Sequence, residues 1–164
     1  MVKTLLVGLR ALAYMTGFLL FFAWLALRVR AFDRALQVML PDVVEIPGIV
    51  LMVAGGVLVL ACVGTFIVRG KGTPAPFDAP REFVAIGPYR YARNPMYTGG
   101  LLLLAGFGFY ECSVSILLMV PVLLLLVHLV VIYYEEPTLG RLFGATYQEY
   151  CRTTARWIPN VARR

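Results

Sequence analysis

One stretch of the chain, Gly87-Pro88-Tyr89-Arg90-Tyr91-Ala92-Arg93-Asn94-Pro95-Met96-Tyr97-Thr98-Gly99-Gly100, sets two arginines, three tyrosines and an asparagine directly before a hydrophobic segment. A second polar group, Tyr133-Tyr134-Glu135-Glu136-Pro137, closes the last long apolar run, and Phe143-Gly144-Ala145-Thr146-Tyr147-Gln148-Glu149-Tyr150 comes after it. Carboxylates at the carboxyl end of a helix are disfavoured by its dipole, so Glu135 and Glu136 require a cation. Arg90, Arg93 or a ligand ammonium would serve. The faces of Tyr89, Tyr91, Tyr97, Tyr133 and Tyr134 can stack on a base or hold a sulfonium by cation–π attraction. A zwitterionic, purine-bearing sulfonium is S-adenosylmethionine; the same tyrosines and arginines also make up the ordinary belt at a membrane interface.

The elements that must position these groups are hydrophobic. The chain has 164 residues, one domain by length, but 60% hydrophobic residues and a mean hydropathy of +0.80 put it outside the soluble globular range. The composition is that of an all-α integral membrane protein. The net charge of +6 does not indicate nucleic acid, because the basic residues cluster at the ends of apolar runs, where lipid head groups and membrane orientation account for them. Cys62, Cys112 and Cys151 are far apart, odd in number and without metal-ligand spacing, which predicts neither a disulfide framework nor a metal site.

Leu5 to Leu27 is long enough to cross a hydrocarbon core of roughly 30 Å at about 1.5 Å per residue. Its length, thin basic start and lack of a small-x-small cleavage site predict a helix and not a signal peptide. Arg10 interrupts it, either snorkelling to the near interface or pointing inward with Tyr14 and Gly17 towards an anionic ligand. Arg28 to Pro47 is a mixed-charge connection with room for a short interfacial helix. Gly48 to Val68 is the second span, with Gly55-Gly56 where two backbones can approach. Gly70 to Pro95 reads as a basic, non-spanning loop, with Phe83-Val84-Ala85-Ile86 as a short extended piece. Met96 to Tyr110 is only just long enough to span, and Gly99, Gly100, Gly106 and Gly108 leave one side of it without bulk. After a tight turn at Glu111-Cys112-Ser113, Ser113 to Tyr134 is the fourth run, with Pro121 as a kink site. The reading is four spanning helices: two amino-terminal ones over 1–68 and a core of loop, hairpin and tail over 69–164. The arginine-rich loop and tail must share a side, which the positive-inside rule makes cytoplasmic together with both termini, at the inner membrane in a prokaryote.

The order Gly87-Pro88-Tyr89-Arg90-Tyr91-x-Arg93-Asn94-Pro95-Met96-Tyr97, a helical hairpin, Glu135-Glu136-Pro137, Phe143-Gly144-x-x-Tyr147-x-x-Tyr150 and finally Arg156-Trp157-Ile158-Pro159 resembles the isoprenylcysteine carboxyl methyltransferase family. The resemblance runs from about Phe83 to Pro159. It implies a membrane methyltransferase whose S-adenosylmethionine pocket is made by the last two helices, the preceding loop and the re-entering tail, and whose acceptor is a lipophilic small molecule or lipid-modified substrate from the bilayer, with membrane lipids around it and no nucleic acid. The family's Arg-His-Pro-x-Tyr motif falls on Arg93, Asn94, Pro95, Met96 and Tyr97, its cofactor-side tyrosine on Tyr89 and its cofactor glutamate on Glu135, next to Glu136. Phe83 and Val84 fall in the adenosine pocket.

Two positions depart from that family. Asn94 stands where it has histidine, and an asparagine cannot carry a proton at neutral pH. Val131 stands where an arginine would meet a substrate carboxylate. Asn-Pro-Met-Tyr with a later Glu-Glu-Pro is similar also to the phospholipid N-methyltransferases, a related membrane group. His128, the only histidine, lies seven residues before Glu135, nearly on the same helix face and about 10 Å deeper. It is either a neutral imidazole bonded to a neighbouring helix or the base that deprotonates an amine acceptor. On the catalytic reading the methyl passes in line to a laterally entering acceptor, and the tail from Tyr147 to Trp157 folds over the cofactor as a lid. Two other classes stand beside it: a non-catalytic helical membrane protein and a nicotinamide-dependent lipid reductase.

Overall fold

In lipid a backbone must satisfy its hydrogen bonds within its own segment, which for uninterrupted apolar sequence means helix. A computed structural model describes residues 2–38, 40–70 and 83–158, and gives only the backbone of 2–8, 10, 11, 69 and 70. The side chain of Arg10, with both of its readings, lies outside the described residues, as do the side chain of Arg69 and the whole of Lys71, Arg81, Pro159, Arg163 and Arg164. The described residues are helical and irregular, with one isolated parallel bridge between Ala92 and Ala155.

The helices are α1 (Val2–Arg30), α2 (Asp33–Leu36), α3 (Glu45–Thr65), α4 (Pro95–Tyr110), α5 (Val114–Val130) and α6 (Glu136–Thr153). A π-helical turn, Phe66–Gly70, prolongs α3, and a second, Val131–Glu135, joins α5 to α6 without interruption. Three segments are long and apolar enough to cross a membrane: Leu12–Leu36, Asp42–Val68 and Val114–Thr153. Leucines and valines exposed on them, such as Leu60 at 63% and Leu125 at 58%, would be untenable in water and fit a lipid surround. The expected fourth span, α4, has 16 residues, about 24 Å of helix, short of the roughly 20 residues a crossing takes.

What α4 lacks in length it makes up in contact. A Cβ on Gly106 would lie 2.6 Å from both the Gly48 carbonyl oxygen and the Met52 amide nitrogen, and one on Gly55 2.6 Å from the Gly99 carbonyl oxygen. Gly48 and Gly55 share a face of α3, Gly99 and Gly106 share a face of α4, and the two backbones meet along both. The four glycines of α4 do not form one bare side, however. Gly108 abuts Ile116 and Leu117 of α5, and Gly100 has open space around its Cβ position, because successive residues of a helix point about 100° apart.

At the far end from the polar motif, the connection after α1 is tied to the α4–α5 hairpin. Asp33 Oδ1 accepts from the Ser115 amide at 2.8 Å and Ser113 Oγ from the Ile116 amide at 3.2 Å, so two of the orphan donors at the start of α5 are capped. Arg30 pairs with Glu111. Just inside, Ala26, Leu104, Ile116 and Met119 form a buried cluster joining α1, α4 and α5. The interfacial helix expected in the connection is one turn, α2, and α5 runs on through Pro121.

Candidate functional site

The motif folds as a turn followed by a helix start. Residues Gly87–Arg90 make a 3₁₀ turn that buries Tyr89, whose ring meets Phe66 edge-on at 5.2 Å beside Cys62 and Val84. Burial pushes its hydroxyl well above the ordinary phenol value, so Tyr89 stays neutral. Pro95 opens α4 at a position where its missing N–H costs nothing. The Asn94 carbonyl accepts from the Thr98 amide at 3.2 Å.

The tail returns to this motif. Gly144, with φ 53° and ψ −128°, breaks α6 in a conformation that a Cβ would strain. Beyond it the Arg93 amide donates to the Ala155 carbonyl at 2.9 Å and the Asn94 amide to the Arg156 carbonyl at 3.2 Å. Asn94 Nδ2 donates to the same Arg156 oxygen at 3.2 Å, and the Tyr150 hydroxyl to the Tyr89 carbonyl at 2.5 Å. Phe83 lies against Phe143, Tyr147 and Tyr150 at ring distances of 5.4, 6.0 and 5.1 Å.

The two glutamates divide. Glu136 receives a bidentate fork from Arg156, Nε at 2.8 Å and Nη2 at 3.0 Å, and Arg93 Nη1 at 2.9 Å. The hydrogen bond to Glu136 raises the already high pKa of Arg156. Arg93 Nη1 also donates to Cys151 Sγ at 2.9 Å, while Arg93 Nε is buried without a partner among the described residues. Arg90 is exposed, so of the two arginines offered by the motif only Arg93 serves a glutamate. Glu135 accepts from the Tyr97 hydroxyl and has no cationic partner among the described residues. Adjacent residues of a helix point about 100° apart, and the π turn that ends at Glu135 shifts the phase of both relative to α5; such turns recur at functional sites.

These groups close one end of a cavity of about 520 Å³. Its polar end holds Phe83, Val84, Tyr89, Arg93, Asn94, Met96, Tyr97, Glu135, Glu136, Tyr147 and Tyr150. From there it continues as an apolar trough between α1, α4 and α5, past Leu104, Phe107, Leu123, Val127 and Val131. Pro95 is buried beneath the site without lining it, and Tyr91 and Tyr133 do not line it, whereas Tyr134 does. The α1 wall is a feature that the sequence motifs leave out. Tyr14, Phe18, Phe22 and Ala26 line the trough, and their repeat every four residues is a readable signal.

His128 does not line the cavity. Its Nδ1 accepts from Trp157 Nε1 at 3.1 Å. The expectation that it shares a face with Glu135 assumes unbroken α-helix; with the π turn between them, the residue two turns from His128 is Glu136.

An amino-acid zwitterion attached to a purine suits the polar end. Among the described residues Glu135 is a carboxylate without a cation and Arg93 Nε a buried donor without an acceptor, and Phe83, Tyr147 and Tyr150 offer aromatic surface beside them. A family model described as phospholipid methyltransferase matches residues 43–146, more than half of the chain, from just before α3 to the bend in α6. No curated protein matches.

Proposed function

The chain belongs to the phospholipid methyltransferase family, and on that premise we propose that it transfers a methyl group from S-adenosylmethionine to an amine on a lipophilic acceptor. The observation that carries this is a pair of needs at one end of the cavity that no described residue meets, a cation for the Glu135 carboxylate and an acceptor for the buried Arg93 Nε. Bound there, S-adenosylmethionine supplies an electrophilic methyl on a sulfonium. Glu135, oriented by the Tyr97 hydroxyl, holds the ligand ammonium; Arg93, steadied by Glu136, holds its carboxylate. Phe83, Tyr147 and Tyr150 cover the base, and the tail keeps water from the reacting atoms.

An amine is favoured over a carboxylate acceptor by the charge of the walls. Two glutamates line the cavity, the one arginine lining it among the described residues is taken by the carboxylate of the methyl donor, and Val131 is apolar where the resemblance would put an arginine for a carboxylate acceptor. The side-chain oxygen of Asn94 has no donor among the described residues, and an amine N–H would supply one. The apolar trough takes the acceptor's hydrocarbon. Because α4 and α5 form a hairpin that returns the chain to the side it left, the arginine-rich motif and tail share a side, which the positive-inside rule makes cytoplasmic together with both termini.

Radiolabelled methyl donor, incubated with the detergent-purified protein and either aminophospholipid vesicles or a prenylcysteine, tests this. The expected label is base-stable N-methyl on the aminophospholipid. A base-labile methyl ester on the prenylcysteine would replace the amine by the carboxyl reading. No transfer, together with no binding of S-adenosylhomocysteine by the folded protein, would end the methyltransferase reading.

A further inference from the structure

The only histidine has a partner that the proposed reaction does not use. We propose that His128 is a positioning residue, which through Trp157 latches residues 145–158 as a strap across the polar end of the cavity. The strap starts at a bend that a glycine conformation makes, Gly144. It carries Tyr147 and Tyr150, both of which wall the cavity, and docks by backbone bonds to Arg93 and Asn94. At its outer end two successive residues grip the α5–α6 segment, Arg156 on Glu136 and Trp157 on His128.

The grip is a consequence of helix phase. The π turn adds one residue between His128 and Glu136, which brings these two, eight apart, towards one face. Neighbouring strap residues then reach both. The chemistry suits a site within a spanning segment: an indole N–H and an imidazole nitrogen each lack partners in apolar surroundings, and one bond satisfies both. As an acceptor at Nδ1, the ring carries its proton on Nε2. Strap opening breaks this bond and the Arg156 fork together, uncovers the wall made by Tyr147 and Tyr150, and is the route for a purine-bearing ligand to exchange.

The identity of that ligand rests on the proposed function; the latch does not, and is tested without ligand. The amides of Arg93 and Asn94 donate to strap carbonyls, so their hydrogen exchange in the full chain reports strap opening. His128→Leu removes the acceptor, Trp157→Phe the donor, and His128→Gln keeps an acceptor. Each of the first two should speed exchange at Arg93 and Asn94 about fivefold, the factor that one net hydrogen bond represents. The double variant should go no further, His128→Gln should stay near wild type, and the Leu103 and Leu104 amides in α4 should not change. Unchanged exchange in His128→Leu, equal acceleration in α4, or additive effects in the double variant would each overturn the latch. Should His128→Leu fail to fold, Trp157→Phe meets the same criteria alone. Saturating S-adenosylhomocysteine should slow exchange at the same two amides and leave His128→Leu about fivefold faster than wild type, again the factor of one net hydrogen bond. A wild-type strap that opens as described but ignores this ligand would refute the ligand assignment and leave the latch standing.

Discussion

Glu135→Gln isolates a single charge at the site. Glutamine keeps an oxygen for the Tyr97 hydroxyl and nearly the same volume, and no cation among the described residues is left behind, because Arg93 and Arg156 are held by Glu136. The variant should therefore melt like wild type. What it loses is one charge-assisted contact to a ligand ammonium, worth about 1.5–3 kcal/mol. At about 1.4 kcal/mol per tenfold this weakens S-adenosylhomocysteine roughly 10- to 150-fold. Calorimetric titration reads the loss directly. Methylthioadenosine, which has the same nucleoside and thioether but no amino acid, should bind wild type and variant alike. Glu136→Gln gives the contrasting pattern: two guanidiniums lose their shared carboxylate, so it should lower Tm. Equal affinity of wild type and Glu135→Gln for S-adenosylhomocysteine would refute the assignment of Glu135 to the ammonium, as would an equal loss for methylthioadenosine.

Gly106→Val should destabilise by at least about 2 kcal/mol, because the new atoms meet backbone on Gly48 and Met52 that cannot swing aside. Gly100→Ala, in open space, should be neutral or stabilise by up to about 1 kcal/mol, and thermal unfolding of the two in detergent separates a true backbone contact from a general intolerance of α4. Asp33→Ala removes the acceptor of the Ser115 amide and should cost about 1 kcal/mol, with faster exchange at that amide and little change at Arg93; unaltered exchange at Ser115 would show that the cap is not formed.

Much of this protein is legible in its sequence because it is written locally. Apolar runs of sufficient length specify helices whatever surrounds them. The Pro95 start of α4 and the Ser113 cap of α5 act on neighbours a few residues away. Composition indicates a membrane protein, the family resemblance carried by the motif order indicates a methyltransferase, and Glu135 and Glu136 together read as carboxylates needing a cation. The bounds of α4 are legible to within a residue, but its role is not: the 16-residue helix is too short to be counted among the three candidate spans and relies on α3.

Tertiary structure decided what depends on phase and on the path of the chain. Arg156 is 20 residues from the glutamate it holds and 62 from Asn94, whose amide group donates to its carbonyl, and nothing in local periodicity singles it out over Arg90. One π turn brings Glu136 towards the face of His128, and the histidine meets a tryptophan of the strap and does not line the cavity. The stripe of α1 acquires its purpose only when α4 and α5 leave a trough opposite it. A sequence states which groups each helix presents; which of them meet is fixed by rotations of about 100° per residue and by a tail that turns back at one glycine.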